Sequence, residues 1–373
     1  MSDPSRPLHL TGTVVVDDTT VLSEIWVADG RIHLSPPPGA DSFEQVRGVV
    51  VPGLVDVHAH IGLGAEGAVD EATAEAQAVA DRDSGVLLVR DAGSPADTRW
   101  VDDRDDLPRL IRAGRHIARP KRYIRSFARE LDDVALLPEV VAEEARRGDG
   151  WVKLVGDWID RSMGADADLT PLWPREVLRD AVAAAHENGA RVTIHTFATE
   201  TVEDCLAAGV DCLEHGTGMT TDHMAELAAR GVPVTVTARQ TSQFGDFADQ
   251  AVAKYPIYAA RMRAMHERRR DFWGEVVAAG VPLLMGSDAG GTLDHGTLPA
   301  ELVACAELEL PHADVLAAAS WRGRDYLGVD GITDGASADL VVYPSDPRAD
   351  VSVTQRPTAI VLRGTTYRPH SGE

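Results

Sequence analysis

Between residues 49 and 290 the chain repeats one unit, a short apolar run followed by a helix-like segment, several of which close on glycine. The apolar runs are Val49 to Val57, Val86 to Val89, Tyr123-Ile124, Trp151 to Val155, Val192 to Ile194, Cys212-Leu213, Val234 to Val236 and Val281 to Met285. Helical segments end at Gly189, Gly209, Gly231 and Gly280, and a β-branched run follows each. Glycine just past a helix relieves the left-handed turn that ends it, so this order reads as helix followed by strand. Eight such runs predict an α/β fold, a (β/α)₈ TIM-type barrel over residues 51–329, rather than an open doubly wound sheet. The ends read differently. Thr13 to Val16, Glu24 to Val27, Ala338 to Tyr343 and Thr358 to Leu362 are strand-like, with Asp29-Gly30 as a hairpin turn and Pro36 to Gly39 as a break. Residues 1–50 and 330–373 are therefore expected to form one small β-sandwich domain.

Polar residues fall at the ends of these runs. His58 and His60 follow Asp56-Val57, and residues two apart on a strand face the same side. Lys153 sits inside the apolar Trp-Val-Lys-Leu-Val run, where an ammonium is costly unless paired or neutralised. His195 closes Arg-Val-Thr-Ile-His, His215 closes Asp-Cys-Leu-Glu-His, and Asp288 follows Met-Gly-Ser. In a barrel all six reach the C-terminal mouth, where such folds build their active sites. Four imidazoles, a carboxylate and a lysine on one face make a ligand set for metal.

Charge narrows the partners. With 36 basic and 59 acidic residues the net charge is −23, which repels nucleic acid and anionic membrane surfaces and leaves a small molecule as the expected substrate. The Arg261–Arg270 cluster falls in a helical stretch and reads as a solvated face, with a substrate-facing arginine as the alternative. Cys205, Cys212 and Cys305 have no ligand spacing and read as reduced thiols. No apolar stretch is long enough to span a membrane, and no secretory leader is evident, so a cytoplasmic protein is expected. A homo-oligomer is left open.

Val51-Pro52-Gly53-Leu54-Val55-Asp56-Val57-His58-Ala59-His60 resembles the first-strand signature of the amidohydrolase superfamily. Val89 to Gly93, Leu213 to Gly216, Gly286 to Gly290 and Gly335 to Val342 are similar to the branch that holds imidazolonepropionase-like proteins and metal-dependent Xaa-Pro dipeptidases. The resemblance covers nearly the whole chain. It implies two divalent ions, one on His58, His60 and Asp288 and the other on His195 and His215. Lys153, carboxylated by carbon dioxide, would bridge them as a carbamate. Imidazole and carboxylate donors suit zinc. The implied chemistry is hydrolysis of an amide, peptide or cyclic amide bond by a metal-bridged hydroxide, with Asp288 as general base and acid. A mononuclear deaminase, or a hydrolase of lactones, esters or carbamates, is the alternative within the superfamily. A noncatalytic relative serving in assembly is the alternative outside catalysis. Ala198 stands where imidazolonepropionase carries a glutamate, which speaks against that activity, and Glu200 and Glu214 do not have the expected spacing. A Gly-Gly-His common in the branch gives way to Pro120-Lys121-Arg122-Tyr123 after Gly114-Arg115-His116-Ile117.

Further candidates for substrate contact are His295 after the eighth run, Arg239 and Gln240 after the seventh, and Tyr123 with Arg125 near the third. Asp91 is a candidate to orient a ligand histidine. The remaining histidines (His9, His33, His116, His186, His223, His266, His312 and His370) read as structural or solvent-exposed. The Gln240–Arg270 stretch reads as a lid or an oligomer surface.

Overall fold

The computed structural model describes residues 6–367, so His370 lies outside the described residues. Strands from both ends of the chain share one seven-stranded sheet, ordered Thr365–Tyr367, Ala359–Leu362, Leu340–Tyr343, Glu44–Pro52, Leu8–Val15, Val21–Ala28 and Arg31–His33. The expected hairpin forms at Asp29 and Gly30, whose φ angles of 52° and 73° turn Val21–Ala28 into Arg31–His33. Leu10, Ile25, Val50 and Val361 form a core of their own on this sheet.

The middle of the chain builds two parallel arrays. One runs Ile117–Ala118, Trp151–Val155, Arg191–Thr196, Cys212–His215, Val234–Val236 and Leu283–Met285, with Arg129–Glu130 at its edge. The other runs Ala289–Gly291, Leu54–Gly64, Val86–Asp91 and Arg109–Arg112. The arrays meet at two seams: Asp288 N–H donates to His58 O at 2.7 Å, and Asp149 N–H donates to Arg112 O at 2.8 Å. Helices connect most of the longer-separated strands, whereas Arg109–Arg112 passes to Ile117–Ala118 and Leu283–Met285 to Ala289–Gly291 without one. Arg175–Glu187, Thr199–Ala208 and Thr221–Arg230 each bury one stripe, such as Leu178, Ala181, Val182 and Ala185, against the strands. Gly209 and Gly231 end two of them in left-handed geometry, as the sequence requires.

One strand departs from expectation. Tyr123-Ile124 is not extended pairing backbone but part of a loop, and the strands there are Arg109–Arg112 and Ile117–Ala118. Pro120 removes an N–H donor, and Lys121 and Ser126 take φ of 62° and 69°, which no strand accommodates. Two adjacent apolar side chains predict a strand by identity alone, and the backbone around them overrides that expectation.

Gln240–Arg270 falls in three helices, Ala238–Ser242, Phe244–Ala251 and Pro256–Ala278. The last two form a hairpin that buries Phe244, Ala248, Ala259 and Met262 against Leu169 and Phe197. Its arginines pair outward: Arg261 with Asp168 at 2.7 Å, Arg263 with Asp249 at 2.6 Å and Arg270 with Glu309 at 2.7 Å. Among the described residues, no helix is long and apolar enough to cross a membrane.

Candidate active site

His58 and His60 project from Leu54–Gly64, Lys153 from Trp151–Val155, His195 from Arg191–Thr196 and His215 from Cys212–His215, while Asp288 follows Leu283–Met285. Their side chains converge. Asp288 Oδ1 lies 3.0 Å from His58 Nε2 and 3.7 Å from His60 Nε2. The ring of His215 is 5.1 Å from His58 and 4.7 Å from His195. Ligand atoms of His58, His215 and Asp288 all lie within 4.8 Å of one another.

Two backbone outliers make this convergence. His215 and Asp288 have φ of 64° and 56°, the left-handed region that side chains other than glycine rarely adopt. At a strand end this twist turns the terminal side chain out of the regular alternation and into the shared space. Such strain persists only where the surroundings over-determine it, and here hydrogen bonds do so. His215 Nδ1 meets Thr237 Oγ1 at 2.7 Å, and the Asp288 N–H is the seam donor to His58 O.

The loops around the cluster rest on buried carboxylates that accept backbone N–H groups. Asp56 accepts from His58 N at 3.0 Å, Ser287 N at 3.1 Å and Ser287 Oγ at 2.5 Å. Asp91 takes Ile61 N at 3.1 Å and Gly93 N at 2.8 Å, so it fixes the backbone beside His60 rather than the ring, whose Nδ1 meets Gly93 O at 2.7 Å. Asp157 accepts from Phe197 N and Ala198 N, both at 2.9 Å, just beyond His195. Glu301 accepts from Ala238 N and Arg239 N beyond the Val234–Val236 strand. Asp157 and Glu301 were not legible as site residues, because each lies far in sequence from the loop it holds.

Burial pushes the Glu301 carboxyl up to about 8, against backbone bonds that pull it down. A carboxyl raised above its ordinary 4.5 is protonated in the fold and ionised in the unfolded chain between those values. Stability is therefore lost as pH rises from 4.5 toward 8. Glu301→Gln, always neutral, removes this loss. Urea unfolding across that window should show wild type falling relative to the variant by about 1 kcal/mol per pH unit, whereas a constant gap would refute the assignment.

Glu214 is the residue that spacing arguments missed. It is wholly buried, its Oε2 is in contact with Lys153 Nζ, and its Oε1 accepts from Thr193 Oγ1 at 2.7 Å and lies 3.5 Å from an Arg90 guanidinium nitrogen. Strand register sets Glu214 beside His195, while the left-handed backbone at the next residue brings His215 into the same cluster. Burial raises the Glu214 carboxyl, but His58, Lys153 and Arg90 outweigh that and hold it below the usual range.

Electrostatics suit a cation. Burial, joined by neighbouring positive charge, lowers His215 to about 3 and takes His195 well below the ordinary imidazole value, leaving lone pairs free. Burial works against Asp288 ionisation, and His58 and His60 overcome it, so the carboxylate stays charged. His58 Nδ1 and His195 Nε2 are buried with no hydrogen-bond partner among the described residues. The donors are all nitrogen and oxygen.

The other sequence candidates divide. Tyr123 joins the site: its ring is 5.9 Å from His195 and 5.4 Å from His116. His116, read as structural or exposed, is buried 5.7 Å from His60 with its Nε2 unpartnered. His295 is instead tied to Asp81 at 2.8 Å, and Gln240 bonds Gln243 at 3.3 Å. Arg239 stands on the loop held by Glu301, with one guanidinium nitrogen buried and unpartnered.

The profile of the amidohydrolase family matches residues 49–366. The chain belongs to the amidohydrolase family. It is thus a hydrolase of carbon–nitrogen bonds, as its strand-end motifs implied. An uncharacterized protein of Mycobacterium tuberculosis is 48% identical to this amidohydrolase over 365 residues, covering 97% of this chain and 96% of its own. A crystal structure of an Xaa-Pro dipeptidase with methionine bound in its active site shares the fold at a TM-score of 0.80 and 20% identity, over 97% of this chain and all (100%) of that one. Aspergillus niger ochratoxinase does so at 0.79 and 18%, over 99% and 98%.

Proposed function

We propose that this amidohydrolase is metal-dependent and cleaves an amide, peptide or cyclic amide bond of a small molecule. The observation that carries the reading is the meeting of His58, His215 and Asp288 ligand atoms within 4.8 Å, with His60, His195 and Lys153 around them. Neutral imidazoles and an ionised carboxylate, without thiolate, suit zinc. A divalent ion bound there supplies Lewis acidity toward a carbonyl and lowers the pKa of water to around 7.

The chain's own residues do the rest. Asp288 accepts a proton from the attacking water at a carboxylate oxygen and returns it to the amine nitrogen as the C–N bond breaks. Tyr123, whose phenol burial pushes up, stays protonated and donates toward substrate oxygen. His116 Nε2 is a second unpartnered group on that side. Phe197, 4.3 Å from His195 and 4.8 Å from Phe244, shields the histidines from water. In this reading the two parallel arrays are arcs of one (β/α)₈ barrel over residues 51–329, beside a small β domain from 1–50 and 330–373. The buried, unbridged thiols of Cys205, Cys212 and Cys305 agree with a cytoplasmic setting.

Two ions with a carboxylated Lys153 between them form the first reading. Carboxylation would turn the Lys153–Glu214 pair into two neighbouring anions, so it requires the cations to be present. A single ion forms the second, favoured by the Lys153–Glu214 contact, which leaves Lys153 already partnered. Metal analysis, chelation and reconstitution distinguish them. The binuclear reading expects about two zinc ions per chain, turnover lost on chelation, and faster recovery with zinc plus bicarbonate than with zinc alone. One ion with bicarbonate-independent recovery would establish the mononuclear site. Full turnover in the chelated protein would end the metal-dependent reading.

A further inference from the structure

A cavity of about 470 Å³ lies between the terminal sheet and the beginnings of the parallel strands, at the other end of those strands from the histidine cluster. It collects four arginines. Arg31 comes from the terminal sheet and Arg363 from the turn after Ala359–Leu362, while Arg109 opens Arg109–Arg112 and Arg324 sits in the helix Trp321–Leu327. Arg363 reaches across the junction, its Nη1 donating to Asp105 O at 2.9 Å and Leu107 O at 2.8 Å. None of the four makes an ion pair within 4 Å among the described residues. Elsewhere on the chain arginines meet carboxylates, as Arg104, Arg112, Arg129 and Arg322 do.

Three aspartates line the same cavity, and the backbone occupies them. Asp334 Oδ1 accepts from Leu34 N at 2.9 Å, and Asp339 Oδ1 accepts from Arg363 N at 3.0 Å and Ser337 Oγ at 3.2 Å. Asp330 gives Arg324 Nη1 its carbonyl, at 3.1 Å. Arg324 is 2% exposed, and its Nε donates to Gly53 O at 3.0 Å. Its Nη2 is buried with no hydrogen-bond partner among the described residues. A guanidinium nitrogen only donates, so an acceptor must enter from the cavity to satisfy it. Four cations against three carboxylates reverse, at this one place, the balance of a chain whose net charge is −23.

Guanidinium groups bind phosphate oxygens in pairs, and a phosphoryl group carries close to two negative charges near neutral pH. The volume falls within the range of about 300–1,000 Å³ typical of small-molecule sites, which leaves room for an organic body beside the phosphate. We propose that this cavity binds a phosphoryl group, free or carried on a small phosphomonoester. Arg324 Nη2 donates to one of its oxygens, and Arg31, Arg109 and Arg363 supply the surrounding charge. Two of these arginines belong to the terminal sheet and two to the segment between, so the ligand binds only where both are assembled. It therefore stabilises the fold from a place outside the hydrolytic site, and its detection does not depend on turnover.

The test is calorimetric titration and thermal melting of the whole protein with glucose 6-phosphate and with inorganic phosphate, glucose serving as the uncharged control. Chloride keeps the ionic strength constant, so general screening is matched. The expected result is a single glucose 6-phosphate per chain and a melting temperature raised by about 2 °C at roughly ten times Kd. Arg31→Ala with Arg109→Ala, both exposed, should weaken binding at least about tenfold and leave the unliganded melt within about 1 °C of wild type. Inorganic phosphate binding as tightly as the ester assigns the cavity to the free ion, and weaker binding shows that it holds the organic body as well. A phosphate lodged at the histidine cluster would be indifferent to the double variant. Binding that the variant leaves unchanged, or no binding of either anion at about 10 mM, overturns the proposal.

Discussion

Asp288→Asn should lower kcat by about 10²- to 10⁴-fold while leaving the fold in place. Asparagine matches aspartate in shape, and it is among the few residues that tolerate the left-handed backbone, so φ of 56° at this position remains accessible. The seam bond from residue 288 N–H to His58 O is a backbone bond and survives. What disappears is the charge that His58 Nε2 faces at 3.0 Å and the oxygen that carries the proton. The measurement is steady-state turnover of a hydrolysed amide alongside far-ultraviolet circular dichroism and a thermal melt. Activity within tenfold of wild type in a folded variant would remove Asp288 from the chemistry.

Glu214→Gln should cost about 3–5 kcal/mol of folding stability, because it leaves the buried Lys153 ammonium and Arg90 guanidinium without a counter-charge. Few proteins have more than about 5–15 kcal/mol to lose. Arg90 keeps its donation to Val57 O at 2.7 Å and its place over the Trp151 ring, so Lys153 bears most of the loss. The double change Glu214→Gln with Lys153→Met removes both charges and should recover most of the stability, since an apolar group of similar volume replaces a buried ion without penalty. Urea unfolding of the two variants and wild type decides it. A single-variant cost under about 1 kcal/mol would mean that the pair is not ionised in the fold. Repeating the series with zinc and bicarbonate adds a readout on Lys153: a carbamate there would make the lost Glu214 charge harmless or favourable.

The sequence carries the strand ends more clearly than what lies beneath them. His58, His60, Lys153, His195, His215 and Asp288 were found because apolar runs mark strands, and a polar residue at the end of such a run stands out. Glu214 hides beside His215 because regular alternation would send it to the opposite face from its neighbour, and only the φ of 64° at His215 brings the two into one cluster. Asp157 and Glu301 hide for another reason. Each accepts N–H groups about 40 and 60 residues away, and nothing local distinguishes them from surface carboxylates. His116 was passed over with the histidines that read as structural or solvent-exposed, yet it is buried with its ring 5.7 Å from that of His60. His295, placed after the eighth strand, gives its Nδ1 to Asp81 in the Glu71–Asp83 helix, and its Nε2 is buried without a partner among the described residues.

Strand Glu44–Pro52 pairs with Leu8–Val15 on one side and with Leu340–Tyr343 on the other. During synthesis the first partner is at hand, whereas the second leaves the ribosome roughly 300 residues later, about 15–60 s at ordinary elongation rates. Through that interval Val49, Val50 and Val51 present an open, β-branched ladder to any other nascent chain. Expression yield of this protein should therefore depend on how fast its last strands are translated and on chaperones that cover that edge, and a stop codon ahead of residue 340 should send the product into inclusion bodies.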